Sequence, residues 1–185
     1  MSALTVVGLG SELSGDDAIG LVLVDRLRGR LADAGVACVC WPDADALTIA
    51  HDLLELRGAV LLVDCAEMGL PPATCRVLDR GQVRLHVKES PVSVHGIGLA
   101  EALELAAALG LRAAVRLFAV QPGRLDPGAP LSAEVEAQLL ALVAALEEAT
   151  RESSRRTSRR SSTTSFAPTR RPGSIRTATA SGRRW

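Results

Sequence analysis

The run Ala59-Val-Leu-Leu-Val-Asp64 constrains this chain more than any other segment. It is apolar up to a closing carboxylate and carries β-branched Val60 and Val63, the pattern of a strand covered on both faces. Such strands belong to parallel sheets flanked by helices, and the flanking sequence fits that reading. Ala3–Gly8 and Val115–Val120 are comparable apolar runs, Val36–Trp41 is a further strand, and Cys75–Leu78 is a weaker one. Between them lie helical patterns. Ile19, Val22, Leu23, Leu27 and Leu31 share one face, Leu47–Leu56 is a short second helix, and Ile97–Leu109 is a third that stops at Gly110. Ser132 caps a last helix with Glu134 and Glu136 in its first turn and a stripe of Val135, Leu139, Leu142, Val143 and Leu146. The βαβα order implies an α/β fold of three layers, a mostly parallel twisted β-sheet with helices on both faces. Without Tyr and with only two Phe and two Trp, its core must be aliphatic.

The pattern stops after Thr150. Residues 1–150 form one domain, and residues 151–185 read as a disordered Arg/Ser/Thr-rich basic tail, too poor in apolar residues to offset the entropy of ordering. Charge follows the same boundary. The tail holds ten Arg against Glu152, so a chain of zero formal charge divides into a body of −9 and a tail of +9. An acidic body would repel a phosphate backbone, which argues against nucleic-acid binding by the folded domain. The first residues lack the basic and apolar regions of a signal peptide, and no apolar run reaches membrane-spanning length. Cys38, Cys40, Cys65 and Cys75 lie in strand-like runs, as buried thiols of a reducing compartment do. The expectation is a soluble cytoplasmic protein that makes no contact with a membrane. Deleting residues 151–185 is expected to leave its folding intact.

Ligands of open parallel sheets bind beyond the carboxyl ends of the strands, so strand-end residues carry the functional information. The first strand runs into Gly8-Leu-Gly10-Ser-Glu-Leu-Ser-Gly15-Asp16-Asp17-Ala-Ile-Gly20. A dinucleotide fingerprint would need glycine where Leu13 stands, and Asp16 and Asp17 would oppose a phosphate at the helix start. The two carboxylates suit a cation, or simply the helix dipole. Asp64 ends its strand, and His95 sits just before a helix in Ser93-Val-His95-Gly-Ile-Gly98. Each has an ordinary structural reading by itself. Together Asp17, Asp64 and His95 follow separate elements and would make an open oxygen and nitrogen site for a borderline divalent metal. His51, inside a helical segment, and His86, between Arg84 and Lys88, read as structural or solvent-facing.

Gly8-x-Gly10, Gly15-Asp16-Asp17-x-x-Gly20, the strand ending in Asp64, His95-Gly-Ile-Gly-Leu-Ala and Gln121-Pro-Gly123 with Leu131-Ser132-x-x-Val135 keep one order and spacing over residues 3–149. In this the chain resembles the hydrogenase maturation endopeptidases. The resemblance implies a twisted sheet between helices and an endopeptidase, aspartyl-type or metal-dependent. Its partner would be the precursor of a nickel-iron hydrogenase large subunit, whose C-terminal extension it removes once nickel is loaded. It further implies that Asp17, Asp64 and His95 are the catalytic and metal-ligating residues. Nickel would be recognised in the substrate rather than kept as a permanent cofactor, in line with the absence of a His-Glu-x-x-His motif. No catalytic triad stands out, and Cys65 reads as a packed thiol.

The chain departs from the family pattern at two places. Ser11 stands where Asn is usual, and Asp43-Ala-Asp45-Ala replaces an Asp-Gly-Gly-Thr turn, so that loop must bend differently and brings Asp45 towards the site. Two rival classes follow: a non-catalytic hydrogenase assembly factor that binds precursor without cutting it, and a small nucleotide-binding α/β protein whose binding would survive loss of His95.

Overall fold

The computed structural model describes residues 4–31, 35–83 and 94–163, with the side chains of 94–97 and 159–163 outside the description. Five strands form one sheet: β1 (Leu4–Gly10), β2 (Val36–Pro42), β3 (Ala59–Cys65), β4 (Cys75–Asp79) and β5 (Ala114–Val120), in the order β2-β1-β3-β5-β4. All neighbours are parallel except β4, which pairs antiparallel with β5 at one edge. The mostly parallel three-layer sheet expected from the sequence is therefore present. The short β3–β4 connection explains the exception, because a parallel return would need a longer crossover.

Helices α1 (Ile19–Arg28), α2 (Ala46–Glu55), α3 (Val94–Ala108), α4 (Ala133–Ala137) and α5 (Leu139–Thr163) are assigned among the described residues. Strand alternation sends Leu61 and Val63 to one face of the sheet, where α1 and α5 cover them with Leu23, Leu27, Leu142 and Leu146. Val60 and Leu62 point to the opposite face, where α2 and α3 supply Ile49, Leu53, Leu99 and Leu103. β3 is buried along its whole length, which is why its sequence lacks polar alternation.

Several boundaries differ from the sequence reading, most strands by a single residue, so that β3 runs one residue past Asp64 to Cys65. β1 continues to Gly10, α3 begins at Val94, and the last helical segment divides at Gln138 into α4 and α5. The largest difference lies at the C-terminus. α5 does not stop at Thr150 but runs on to Thr163, so the segment read as tail begins as helix. Glu residues one turn before Arg residues explain the extension: Arg151 pairs with Glu147, and Arg156 with Glu152. Ser153 and Thr157 bond back to the carbonyls of Ala149 and Ser153, which satisfies their hydroxyls inside the helix. Residues 164–185 lie outside the described part.

Candidate active site

The strand order reverses at β1 and β3. From β1 the chain moves outward to β2 through α1 on one face, then returns past β1 to β3 through α2 on the other. A crevice opens at the carboxyl ends of strands where such a reversal occurs. Here it lies between the loop after β1 and the last residues of β3.

Two glycines bring these pieces together. A Cβ on Gly20 would run into the carbonyl oxygens of Leu9 and Val63, so only glycine lets the start of α1 rest on β1 and β3. Gly10, at φ 125°, turns against the carbonyl of Asp17. The chain then makes a 3-10 turn, Gly15–Ala18, whose carboxylates Asp16 and Asp17 are both buried.

The two aspartates face different surroundings. Asp16 accepts hydrogen bonds from the backbone N–H of Gly123 (2.7 Å), Arg124 (3.0 Å) and Ser132 (2.6 Å), and from the Ser132 hydroxyl (2.7 Å). Burial pushes its carboxyl up, but the Ser132 hydroxyl and the three amides outweigh that and hold it below the ordinary value. Asp16 thus ties the loop after β1 to the loop after β5. The helix-dipole role offered by the sequence is secondary to this.

Asp17 turns towards β3. Its Oδ2 accepts from the Ser11 N–H at 2.8 Å and its Oδ1 from the Cys65 thiol at 3.5 Å. The contact from position 11 is a main-chain one, so the Ser-for-Asn departure leaves it intact. Asp64 is 4% exposed and its Oδ1 accepts from the Cys65 N–H at 2.8 Å. Burial first, and the Asp17 charge second, push the Asp64 carboxyl up to about 8. Asp17, Asp64 and Cys65 each offer one donor atom, all within 4.8 Å of one another. A divalent cation would offset both the burial of the Asp64 charge and its repulsion by Asp17, so the donor set suits one. Burial together with the neighbouring carboxylates raises the Cys65 thiol well above its usual range. It is packed, as the sequence suggested, but it is also part of the cluster.

A cleft of about 290 Å³ opens onto Asp64 and is lined by Gly10, Asp43, Asp45, Gly98 and Leu99 among others. Asp45 caps α2 by accepting from the Thr48 N–H at 2.8 Å. Asp43 takes the left-handed conformation, φ 52°, which Asp tolerates better than Ala does. The altered turn bends at Asp43, and Asp45 lines the cleft as its sequence position suggested. His95 belongs to the first turn of α3 rather than to a loop before it, and Gly98 and Leu99 of that helix line the cleft. The His95 side chain lies outside the described residues, as does His86. His51 is exposed beside Asp52 and does not line this cleft.

Gln121 is a residue the sequence reading placed only within a motif. It is 3% exposed and its Oε1 accepts from the N–H groups of Met68 (2.7 Å) and Leu70 (3.2 Å), while its Nε2 donates to Glu67 (2.7 Å). It fixes the loop that leaves β3 just after Asp64 and Cys65. A polar residue directly after an apolar strand was the available signal.

Known proteins share this chain's fold and part of its sequence. The family model for hydrogenase maturation protease matches residues 44–149. The hydrogenase expression/formation protein HoxM of Cupriavidus necator is 27% identical over 124 residues, covering 66% of this chain and 61% of that protein. The chain therefore spans less than two thirds of that curated relative's length. The solution structure of an endopeptidase from Escherichia coli superposes with a TM-score of 0.69 at 27% identity, covering 83% of this chain and 94% of that one. The hydrogenase 2 maturation peptidase of a Thaumarchaeota archaeon gives 0.54 at 31% identity, covering 79% and 96%. With more than half of its length matched by the family model, this chain belongs to the hydrogenase maturation protease family.

Proposed function

We propose that this protein is an endopeptidase that removes the C-terminal extension of a nickel-loaded hydrogenase large-subunit precursor, acting in the cytoplasm. The observation that carries the reading is the buried pair Asp17 and Asp64, held together at the crevice of a fold whose family processes hydrogenases. The two carboxylates and His95, from the first turn of α3, complete the coordination of the nickel ion that the substrate brings. A divalent ion bound there polarises the scissile carbonyl and makes a bound water more acidic. With the cation in place Asp64 is ionised at neutral pH, and one of the two carboxylates accepts the proton of the attacking water. Protonated Asp64 disfavours turnover before the metal arrives, which links cutting to completed nickel loading.

A mass-spectrometric processing assay tests this. Precursor from the same cell, with and without nickel, is mixed with wild-type protein or with His95→Ala. The expected result is loss of a C-terminal peptide only with nickel and only with wild type, while His95→Ala keeps its melting temperature. Intact precursor in every tube, despite complex formation, would replace the endopeptidase by a non-catalytic assembly factor.

A further inference from the structure

A second cleft, of about 640 Å³, lies at the opposite end of the sheet, where β3 and β5 begin and β4 ends. Ala59 at its edge is five residues from Asp64, roughly 16 Å along β3 at the usual rise per residue, so the two sites do not share a ligand. Val60, Leu111 and Val115 supply an apolar floor, and the polar wall is built from three arginines.

Each arginine is held differently. Arg116 stands directly across from Asp79 in the β4–β5 register, and its Nε lies 3.1 Å from Asp79 Oδ1. Its Nη1 reaches the Ser153 hydroxyl on α5 at 3.5 Å. The Arg116 side chain is only 17% exposed, against 66% for its carboxylate partner, and Nη2 has no bond among the described residues. Arg156, one turn beyond Ser153, is braced by Glu152 through Nε at 2.9 Å and Nη2 at 2.6 Å, leaving Nη1. Arg80 follows Asp79, is exposed, and enters no ion pair among the described residues. Two carboxylates therefore balance three guanidiniums, in a body whose residues 1–150 carry −9 overall. In an acidic protein, three guanidiniums around one roomy cleft with two carboxylates between them leave, among the described residues, a local positive excess that an anion would offset. Guanidinium edges suit planar, multiply charged oxygen groups better than a single halide.

We propose that this cleft binds a small organic anion carrying two or more phosphate or carboxylate groups. Arg116 acts as the anchored donor, with Arg80 and Arg156 closing on the ligand from the rim. The extension of α5 past Thr150 builds the site, since Ser153, Arg156 and Thr157 all line it.

Isothermal titration in 150 mM salt (a common laboratory condition that screens weak surface attraction over about 8 Å) tests the proposal with two probes, pyrophosphate and citrate. One saturable site per chain for at least one probe is expected, and whichever probe binds more tightly identifies phosphate or carboxylate as the preferred group. Arg80→Ala and Arg116→Ala should each weaken binding at least tenfold. Arg26→Ala on α1 and Asp64→Asn in the crevice should leave it unchanged, which separates this site from the proposed processing reaction. If Arg116→Ala lowers the melting temperature, Arg80→Ala decides alone, because that side chain has no ion pair to lose among the described residues. Failure of both probes to saturate, or undiminished binding in Arg80→Ala, overturns the proposal.

Discussion

Asp16 and Asp17 are neighbours in one buried turn, yet the structure treats them in opposite ways. Asp16 is saturated with donors: three amides and a hydroxyl converge on it from residues more than a hundred positions away. Asp17 faces a second carboxylate, Asp64, which burial first and the Asp17 charge second push up to about 8. The first arrangement is how a fold stabilises a buried charge; the second sets two buried carboxylates against each other. Buried carboxylates set this close together mark a candidate functional site. Identical side chains one residue apart therefore differ in what their loss should do.

The largest effect on folding should come from the saturated carboxylate. Asp16→Ala leaves the amides of Gly123, Arg124 and Ser132 without their acceptor and unties the two loops. The expected cost is about 3–5 kcal/mol, as for removing one partner of a buried charged network. Urea unfolding of the variant measures it. A loss below about 1 kcal/mol would mean that water replaces the carboxylate, and the contrast with Asp17 would collapse.

Asp64→Asn should act with the opposite sign. The amide keeps the shape, removes the repulsion with Asp17, and can donate to it. Stability at pH 8 should rise by about 1–3 kcal/mol while processing is abolished. The pH dependence sharpens the test. The folded value of Asp64, about 8, lies above its unfolded value near 3.9, so between them the native state holds a proton that the unfolded state has released. Stability linked to Asp64 is therefore fully present below about pH 4 and is lost as pH rises to about 8. Asp16, held below its ordinary value, contributes stability that is lost only as pH falls below about 4. Melting temperatures from pH 5 to 8 should show the gap between Asp64→Asn and wild type widening steadily with pH. A constant gap would place the Asp64 proton elsewhere.

How much of this was legible beforehand follows from where each residue finds its partners. The β3 run announced a doubly covered strand because burial on both faces removes alternation, and a carboxylate closing it announced a strand-end site. Asp17 and Asp64 are thus readable from local pattern and spacing. The role of Asp16 is not, since its partners belong to the Gln121–Ser132 segment, and only folding brings that segment to the turn. The antiparallel β4 follows from loop geometry that composition does not encode. The course of α5 past Thr150 was hidden for another reason. Ser, Thr and Arg in a row look like a solvated tail, and the stabilising terms are spaced pairs: Glu152 with Arg156, Arg116 of β5 with Ser153. An apolar-stripe criterion passes over both.

The exposed carboxylates of α5 supply the baseline against which both buried kinds are judged, and they should have the smallest effect. Glu148 and Glu152 are 64% and 44% exposed and pair with Arg155 and Arg156 across one or two turns. Such pairs are screened by solvent and tether long side chains, so Glu148→Gln and Glu152→Gln should each cost no more than about 0.5 kcal/mol. Truncation follows the same logic. Ending the chain after Thr157 keeps these pairs and, among the described side chains, removes only that of exposed Ser158, so it should change unfolding free energy by less than about 1 kcal/mol. Ending it after Thr150 also removes buried Ser153 and its contact to Arg116, and should cost about 1–2 kcal/mol. Urea unfolding of the two truncated chains separates these cases. Equal stability would return the end of the folded body to Thr150, whereas a step between them makes Ser153 the last residue of α5 that the core depends on.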